Sequence, residues 1–398
     1  MTRVRIIGGG LTGILAAFEA HRLGAREIVL EDALDRLGGW SLPRVSHGVE
    51  LRDGEFAFGP AQDPIRQALE WRGVAFDEVD LHAGAISPSP SGARATWGEG
   101  PVLAAEMAPP PSGPAPETLS DILRAYPRAA ADPLAHYCQW RLGVWLDQVH
   151  ASAAPALGLH QVRLVPVSEG AAANVSAPRR GAVPRDGLNG LFSSASRALA
   201  RLGVEIRLHS LVSPREAAQA CADDALVVWA ADPMPLFDLA TQKAPKPRLI
   251  GERVASYVFR ARLEAPLPLT VRNYTGEGKV SALRVYQSRG ETLVSVECVD
   301  EVGDEPLRAE VLRLLAPFAR RPMILDACVL TNMRTRFACP SVEAVQRLGR
   351  LEAELDHLHQ GRFIVAGWES ADTDARIGAL TERMARSLGP AARISAVA

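Results

Sequence analysis

The feature that most constrains the fold is a glycine-rich turn near the start of the chain, G-G-G-L-T-G at residues 8–13. A short β-branched run at residues 4–7 precedes it, and an Ala-rich segment closed by Gly24 follows it, which predicts a strand, a turn and a helix. In such a G-x-G-x-x-G turn, Gly8 makes the bend, Gly10 leaves room for a pyrophosphate, and Gly13 lets helix and strand pack closely. The helix start at Leu11 and Thr12 adds free N–H groups and partial positive charge.

An acidic residue follows at the spacing that a dinucleotide site requires. The predicted second strand ends at Glu31, close to the roughly 20 residues after the first glycine that are expected of a ribose-binding acid. A carboxylate there accepts the hydroxyls of an adenosine ribose and repels a 2′-phosphate. The sequence therefore predicts a βαβ dinucleotide site and disfavours NADP.

The next segment, E-D-A-L-D-R-L-G-G-W at residues 31–40, narrows the choice of dinucleotide. Together with the glycine turn it resembles the flavin amine oxidase, protoporphyrinogen oxidase and UDP-galactopyranose mutase superfamily, whose signature ends in R-x-G-G. The resemblance implies FAD, with Arg36, Gly38, Gly39 and Trp40 carrying the chain past the pyrophosphate and flavin. No cysteine stands where the family attaches flavin covalently, so the resemblance implies noncovalent FAD.

Later segments extend the resemblance and imply further FAD contacts. Phe56 lies in G-E-F-A-F, where mutase-like members carry histidine near the flavin, and Val212 matches the valine whose backbone contacts adenine. Gly367 ends the last predicted parallel strand. Asp374 and Ile377 match a helix start that points toward the flavin.

These segments predict an α/β fold. A Rossmann-like FAD-binding domain of the glutathione reductase type, with a parallel sheet, is interleaved with an α+β substrate domain made of an antiparallel sheet and a helical cap. We assign residues 1–82, 184–236 and 326–398 to the first domain, and 83–183 and 237–325 to the second. Residues 83–116 are expected to be loops, 117–150 helices with an apolar stripe that includes Trp145, and 342–358 a helix.

Composition excludes several classes of partner. The formal charge of −2 provides no field for a polyanion, so nucleic acid is not expected. Five scattered cysteines without a metal-ligand spacing indicate a reducing, cytoplasmic setting and no metal site. No apolar stretch reaches the roughly 20 residues of a membrane span, and the glycine turn argues against reading the N-terminus as a signal peptide. A small-molecule substrate is expected, while the oligomeric state stays open.

The catalytic residues are not identified by spacing. Arg336 and Trp368 are weak candidates for lining the substrate pocket. Six other polar residues could contribute: His47, Arg52, Tyr257, Arg284, Tyr286 and Arg334. Only three of the 44 basic residues are lysines, Lys243, Lys246 and Lys279. None lies in residues 251–256, where the resemblance places the lysine of amine oxidases, so that arrangement is disfavoured.

Three functions remain open on the sequence. The first is an FAD-dependent oxidoreductase acting on a small molecule, in bacterial specialised metabolism or envelope biosynthesis. The second is a mutase-like isomerase that uses reduced FAD on a nucleotide sugar, held by arginines at its diphosphate. The third is a non-catalytic FAD-binding partner protein.

Overall fold

The computed structural model describes residues 3–46, 49–52, 57–89, 92–105, 115–166, 177–239, 246–247, 250–320, 323–339, 341–366 and 373–388. The helices are α1 (Leu11–Arg22), α2 (Asp63–Glu70), α3 (Leu119–Arg124), α4 (Arg128–Leu142), α5 (Gly187–Arg201), α6 (Pro214–Ala222), α7 (Asp304–Leu315), α8 (Val342–Leu358) and α9 (Thr373–Leu388). The strands are β1 (Arg3–Ile7), β2 (Glu27–Glu31), β3 (Arg44–Ser46), β4 (Val49–Leu51), β5 (Phe76–Ser89), β6 (Gly92–Trp97), β7 (Val102–Ala104), β8 (Arg163–Val165), β9 (Arg179–Pro184), β10 (Glu205–Arg207), β11 (Ala225–Trp229), β12 (Ile250–Arg262), β13 (Leu269–Asn273), β14 (Val280–Ser288), β15 (Glu291–Cys298), β16 (Ile324–Cys339) and β17 (Phe363–Val365).

A parallel sheet forms the nucleotide-binding half of the molecule. Its strand order is β10-β2-β1-β11-β17, and every pair is parallel. Helices α1, α5 and α9 pack on one face around Ile6 and Val228, while α6 and α8 pack on the other around Val227 and Trp229. Strands covered on both faces need apolar side chains throughout, which explains the A-L-V-V-W sequence of β11. The predicted Rossmann-like fold is confirmed.

A second, larger sheet forms the other half. Its strand order is β16-β12-β15-β14-β13-β5-β6, and β9 also pairs with β5. The pairing is antiparallel except between β13 and β5, which run parallel. The expected antiparallel sheet is therefore present, and the single parallel pair makes it a mixed sheet. Side chains alternate along its strands, so that Leu283 and Val285 pack against α7 while Tyr286 packs against the nucleotide-binding half.

Three strands lie where the sequence led us to expect loops. Residues 83–116 contain the end of β5 and all of β6 and β7. At one position of β5 a small residue is required by packing, because a Cβ on Gly84 would lie 2.5 Å from the ring of Phe318. The glycine at position 84 therefore reflects close contact with an aromatic side chain.

The helical predictions hold with one exception. Residues 117–150 contain α3 and α4, and α8 spans residues 342–358 as predicted. Helix α4 ends at Gly143, which adopts a left-handed conformation (φ 65°), so the helical stripe stops there. Trp145 consequently lies outside the stripe and is 69% exposed. No helix in the described ranges has the length and hydrophobicity to cross a membrane.

The division of the chain into two domains stays a prediction. All strands of the parallel sheet come from the three segments assigned to the FAD-binding domain. The positions chosen at 82/83, 183/184 and 325/326, however, lie inside β5, β9 and β16 of the mixed sheet.

Candidate functional site

The turn between β1 and α1 has no room for a Cβ at Gly8, Gly9 or Gly13, and at Gly8 and Gly13 the obstruction is backbone. Gly8 has a φ of +104°, and a Cβ on it would lie 2.8 Å from the carbonyl oxygen of Ala230 in the chain following β11. A Cβ on Gly13 would lie 1.8 Å from the carbonyl oxygen of Gly8. Both contacts involve backbone atoms, so the helix and the strand can approach only because these side chains are missing.

Gly10 differs from its neighbours because its missing side chain opens on free space. Its φ of −68° suits any residue, and a Cβ there would meet no other atom within 4 Å. Helix α1 begins at Leu11, with no side-chain cap on Gly10 and no acidic residue in its first turn. The first-turn N–H groups and the positive end of the helix dipole are therefore available to an anion.

The second glycine segment lies directly on the first. The Gly38 N–H donates a 2.8 Å hydrogen bond to the carbonyl oxygen of Gly9, and a Cβ on Gly39 would lie 3.3 Å from the Cα of Gly10. Gly38 and Gly39 have φ values of +131° and +55°, a region that favours glycine. Arg36, on the same loop, donates to the side-chain oxygen of Asn189 on α5 (3.2 Å). The two motifs thus form one continuous backbone surface.

Glu31 occupies the predicted end of β2, but its carboxylate has protein partners. Arg5 donates two hydrogen bonds to it, and the Ser210 hydroxyl donates a third at 3.0 Å. The side chain is only 3% exposed, and Arg207 Nη1 lies 3.9 Å away. Arg5 reaches it because β1 and β2 pair in register, with Ile7 opposite Glu31, so that Arg5 projects from the same face. A ribose bound here would share the carboxylate with Arg5 and Ser210.

Asp32 is a site residue that the sequence reasoning missed. Its carboxylate accepts hydrogen bonds from the N–H groups of Gly9 and Leu34, the latter at 2.7 Å. It therefore joins the glycine turn to the loop that leads to Gly38. Its place directly after the second predicted strand was a usable signal, because a short acidic side chain there can reach loop N–H groups.

Some of the remaining predicted residues have a described position, and the others lie outside the described residues or have side chains that are not described. Val212 follows β10 and is 7% exposed, packed in the core under the parallel sheet. Ile377 lies on α9, packed against the nucleotide-binding core. Arg336 lies on β16 opposite Glu252. The following predictions fall outside the described residues or side chains: Phe56, Gly367 and Trp368, and the side chains of Trp40, Arg336 and Asp374.

A buried polar group lies on the face of the mixed sheet that points toward the nucleotide-binding half. Arg284 on β14 and Glu297 on β15 form a 3.0 Å ion pair, and both side chains are almost fully buried. Ser295 lies opposite Arg284, and Ser256 of β12 lies opposite Glu297. Neither serine hydroxyl has a hydrogen-bond partner in the described structure. Buried polar groups normally have hydrogen-bond partners, so two buried hydroxyls without one are unusual. We call Ser256, Arg284, Ser295 and Glu297 the polar floor.

The polar floor lies between the contact of the mixed sheet with the nucleotide-binding half and its contact with the helical part. Toward one end of β14, the Tyr286 hydroxyl accepts the Arg52 N–H (2.9 Å), which ties the sheet to the nucleotide-binding half. Just before the other end, the Trp140 indole of α4 donates to the carbonyl oxygen of Gly278 (3.1 Å), which ties it to the helical part. Arg284 lies between these contacts along the strand.

Comparison by sequence matches the N-terminal part of the chain, which contains the glycine turn. Residues 6–70 match the family model of the NAD(P)-binding Rossmann-like domain. No curated protein matches the chain.

Comparison by structure extends over nearly the whole chain. Reduced UDP-galactopyranose mutase is similar with a TM-score of 0.67 at 11% identity, covering 98% of this chain and 96% of that one. An oxidoreductase from Methanosarcina mazei gives a TM-score of 0.57 at 13% identity, with 96% and 100% covered. Putrescine oxidase bound to putrescine gives 0.55 at 13% identity, with 97% and 99% covered. The chain therefore shares its fold with these three structures over nearly its whole length.

Proposed function

We propose that this protein is an FAD-dependent oxidoreductase that oxidises a small molecule. The observation that carries the proposal is the joined glycine surface: the uncapped start of α1 opens beside Gly10, and Gly38 and Gly39 lie against that turn. This cradle fits a pyrophosphate, which needs close backbone approach and N–H donors.

The residues proposed to hold noncovalent FAD follow from the motifs. They are Gly8, Gly10, Leu11, Thr12, Gly13, Glu31, Arg36, Gly38, Gly39, Trp40, Phe56, Val212, Gly367, Asp374 and Ile377. Glu31 can serve a ribose while Arg5 and Ser210 hold it, since a carboxylate has about four acceptor positions and three hydrogen bonds occupy it. Bound FAD supplies the electron-transfer chemistry, and the protein supplies binding, orientation and exclusion of water.

The polar floor is the proposed substrate-facing surface. The buried Arg284 can bind an anionic or carbonyl oxygen of a substrate, and Glu297 can accept hydrogen bonds from hydroxyl or ammonium groups. The unpartnered hydroxyls of Ser256 and Ser295 add two more donors or acceptors. We therefore expect a polar substrate. The sequence has no lysine at residues 251–256, which further disfavours the arrangement that the resemblance implies for amine oxidases.

The test starts with the purified protein and its absorbance spectrum. We expect a bound flavin, released on denaturation because it is noncovalent. Stopped-flow mixing with amines, alcohols and nucleotide sugars should then bleach the flavin with one polar class. A chain that neither copurifies with flavin nor takes it up on reconstitution would refute the proposal. Tight flavin binding with no reduction by any substrate would favour the non-catalytic partner protein.

A mutase-like isomerase is the second candidate, favoured by the charged polar floor and by the similarity to reduced UDP-galactopyranose mutase. Such an enzyme needs its FAD reduced beforehand and consumes no electron acceptor. Product formation from a nucleotide sugar after dithionite reduction, without net oxidation, would select it. Turnover that requires oxygen or a dye acceptor would select the oxidoreductase.

A further inference from the structure

The backbone at the end of β4 is bonded to the mixed sheet through two hydroxyl groups of β14. The Tyr286 hydroxyl accepts the Arg52 N–H (2.9 Å) and donates to the carbonyl oxygen of Glu50 (3.3 Å). Two residues further along β14, the Ser288 hydroxyl accepts the Glu50 N–H (3.2 Å). We call Glu50, Arg52, Tyr286 and Ser288 the joint, because they connect the nucleotide-binding half to the mixed sheet.

The charged side chains of the joint attach it to helix α5. Arg52 donates two hydrogen bonds to the Glu50 carboxylate, which also accepts the N–H groups of Leu188 and Asn189 at the start of α5. The Arg52 and Glu50 side chains are only 9% and 11% exposed. A Cβ on Gly187 would collide with the carboxylate, so the helix starts around it. A buried polar network with its hydrogen bonds made in this way is rigid.

The joint lies on a path of contacts between the two parts of the proposed active site. At the start of α5, the side-chain oxygen of Asn189 accepts a hydrogen bond from Arg36, on the loop that carries the second glycine motif. On the mixed sheet, Tyr286 is two residues from Arg284 of the polar floor, and side chains two residues apart on a strand share a face. The path therefore runs from the flavin loop through α5 and the joint to the polar floor.

Apolar packing also holds the two halves together, but it does not fix their orientation. Val258, Leu293 and Leu330 of the mixed sheet pack in the same core as α1 and α5. Apolar attraction has no preferred direction, whereas hydrogen bonds restrict both distance and angle. A buried ion pair such as that of Glu50 and Arg52 adds little stability over apolar side chains of the same volume. The joint is therefore better explained by the placement that it fixes.

We propose that Glu50, Tyr286 and Ser288 are positioning residues, which set the place of the polar floor relative to the flavin cradle and thereby the rate at which a bound substrate reduces the flavin. This inference rests on the proposed function, since it needs flavin on the glycine surface and substrate on the polar floor. A displacement of about 1 Å between reacting groups can lower a rate about 100-fold. Loss of a hydroxyl from the joint therefore acts on the limiting rate of reduction and leaves flavin binding intact.

The chain offers a matched pair of tyrosines for the test. Tyr286→Phe removes the hydroxyl of the joint. Tyr257 of β12 packs on the opposite face of the mixed sheet, where its hydroxyl accepts the Val302 N–H (3.0 Å) and donates to the Val302 carbonyl oxygen (3.3 Å). Tyr257→Phe therefore removes the same group with the same kinds of partner, away from the joint. Ser288→Ala is a second variant of the joint, which keeps the test decisive if Tyr286→Phe fails to fold.

Hydrogen exchange and stopped-flow flavin reduction are measured on the full chain with its flavin bound. The reductant is whichever of ethanolamine, glycerol and UDP-glucose reduces the wild-type flavin. We expect Tyr286→Phe to lower the limiting rate of reduction about tenfold, with the FAD dissociation constant and the half-saturating substrate concentration unchanged, and Ser288→Ala to lower the rate by less. The Arg52 amide should exchange faster in Tyr286→Phe than in the wild type. Tyr257→Phe should keep the wild-type rate while its free energy of unfolding falls by a similar amount.

Three results would overturn the proposal. A wild-type limiting rate in Tyr286→Phe would mean that the joint does not position the floor. An equal fall of the rate in Tyr257→Phe would mean that general loss of stability lowers it. Loss of FAD from Tyr286→Phe would assign the hydroxyl to cofactor binding. Failure of the proposed function is distinct, because it is seen in the wild type before any variant is measured: no flavin is bound, or no compound reduces it, and this inference is then refuted as well.

Discussion

Two alanine substitutions in the glycine turn separate its structural role from its binding role. In Gly13→Ala, the new Cβ would lie 1.8 Å from the carbonyl oxygen of Gly8, a backbone atom that cannot rotate away. In Gly10→Ala, the Cβ meets nothing within 4 Å, and the φ of −68° suits alanine. The same methyl group therefore strains the fold at one position and only fills the proposed cradle at the other.

Gly13→Ala should mainly lower the free energy of unfolding, whereas Gly10→Ala should mainly lower the affinity for FAD. Overpacking in a core costs about 1–3 kcal/mol, and Gly13→Ala should reach the upper end because helix and strand must both shift. Gly10→Ala should change the free energy of unfolding by less than about 1 kcal/mol, since the loss of a glycine N-cap and the gain from a less flexible unfolded chain oppose each other. Its FAD affinity should fall by about 10–100-fold, equivalent to about 1.4–2.8 kcal/mol.

The assay combines urea unfolding of the apoprotein with flavin fluorescence titration. Gly13→Ala should unfold at lower urea, and Gly10→Ala should unfold like the wild type but bind FAD weakly. Wild-type FAD affinity in Gly10→Ala would refute the assignment of the space beside Gly10 to the pyrophosphate. Wild-type stability in Gly13→Ala would refute the packing argument.

Three further predictions concern buried polar groups. Arg5→Gln removes the nearer of two cations from the buried carboxylate of Glu31 and leaves Arg207 3.9 Å away, so the free energy of unfolding should fall by about 3 kcal/mol in urea titrations, the lower end for a broken buried pair, and Glu31→Gln in the same chain should restore part of it. Arg284→Gln should lower the rate of flavin reduction by substrate at least tenfold in stopped-flow experiments while flavin absorbance is retained. Burial raises the pKa of the Cys298 thiol from 9.0 to about 12; its folded state favours the protonated form, so that contribution to stability is complete below pH 9 and is lost as the pH rises toward 12. Between pH 9 and 11, Cys298→Ala should therefore lose less stability than the wild type does.

Each of these predictions has a result that would contradict it. Unchanged stability in Arg5→Gln would mean that Glu31 is hydrated or protonated without its partner. Wild-type flavin reduction in Arg284→Gln would remove the polar floor from the substrate surface. Parallel stability curves for Cys298→Ala and the wild type would show that other groups control the alkaline limit.

The elements that were predictable from sequence are those whose pattern has a single physical cause. Helix α8 has the predicted bounds of residues 342–358 because apolar residues recur at helical spacing after the Ser341 cap. The turn at residues 8–13 is predictable because Gly8 and Gly13 are required by backbone contacts within one βαβ unit.

The elements that were missed depend on partners distant in the chain. Gly84 belongs to a strand because β5 pairs with β6 and β13 there, and its missing side chain leaves room for Phe318; nothing near Gly84 in the sequence indicates the contacts with β13 and Phe318. The partners of Glu31 have the same origin: Arg5 lies on the neighbouring strand, and Ser210 lies 179 residues away. Sequence spacing identified Glu31 but not the side chains that donate hydrogen bonds to its carboxylate.

The scarcity of lysine limits what the polar floor can do. Its buried cation is Arg284, and a guanidinium group keeps its proton in proteins, whereas a buried lysine can lose its proton near neutral pH. Arg284 can therefore orient a substrate and stabilise negative charge, but it cannot serve as a general base. Within the ion pair of the floor, only Glu297 can exchange a proton. If the floor takes part in proton transfer, Glu297→Gln should remove one limb of the pH profile of flavin reduction, and Arg284→Gln should lower the whole profile without removing that limb.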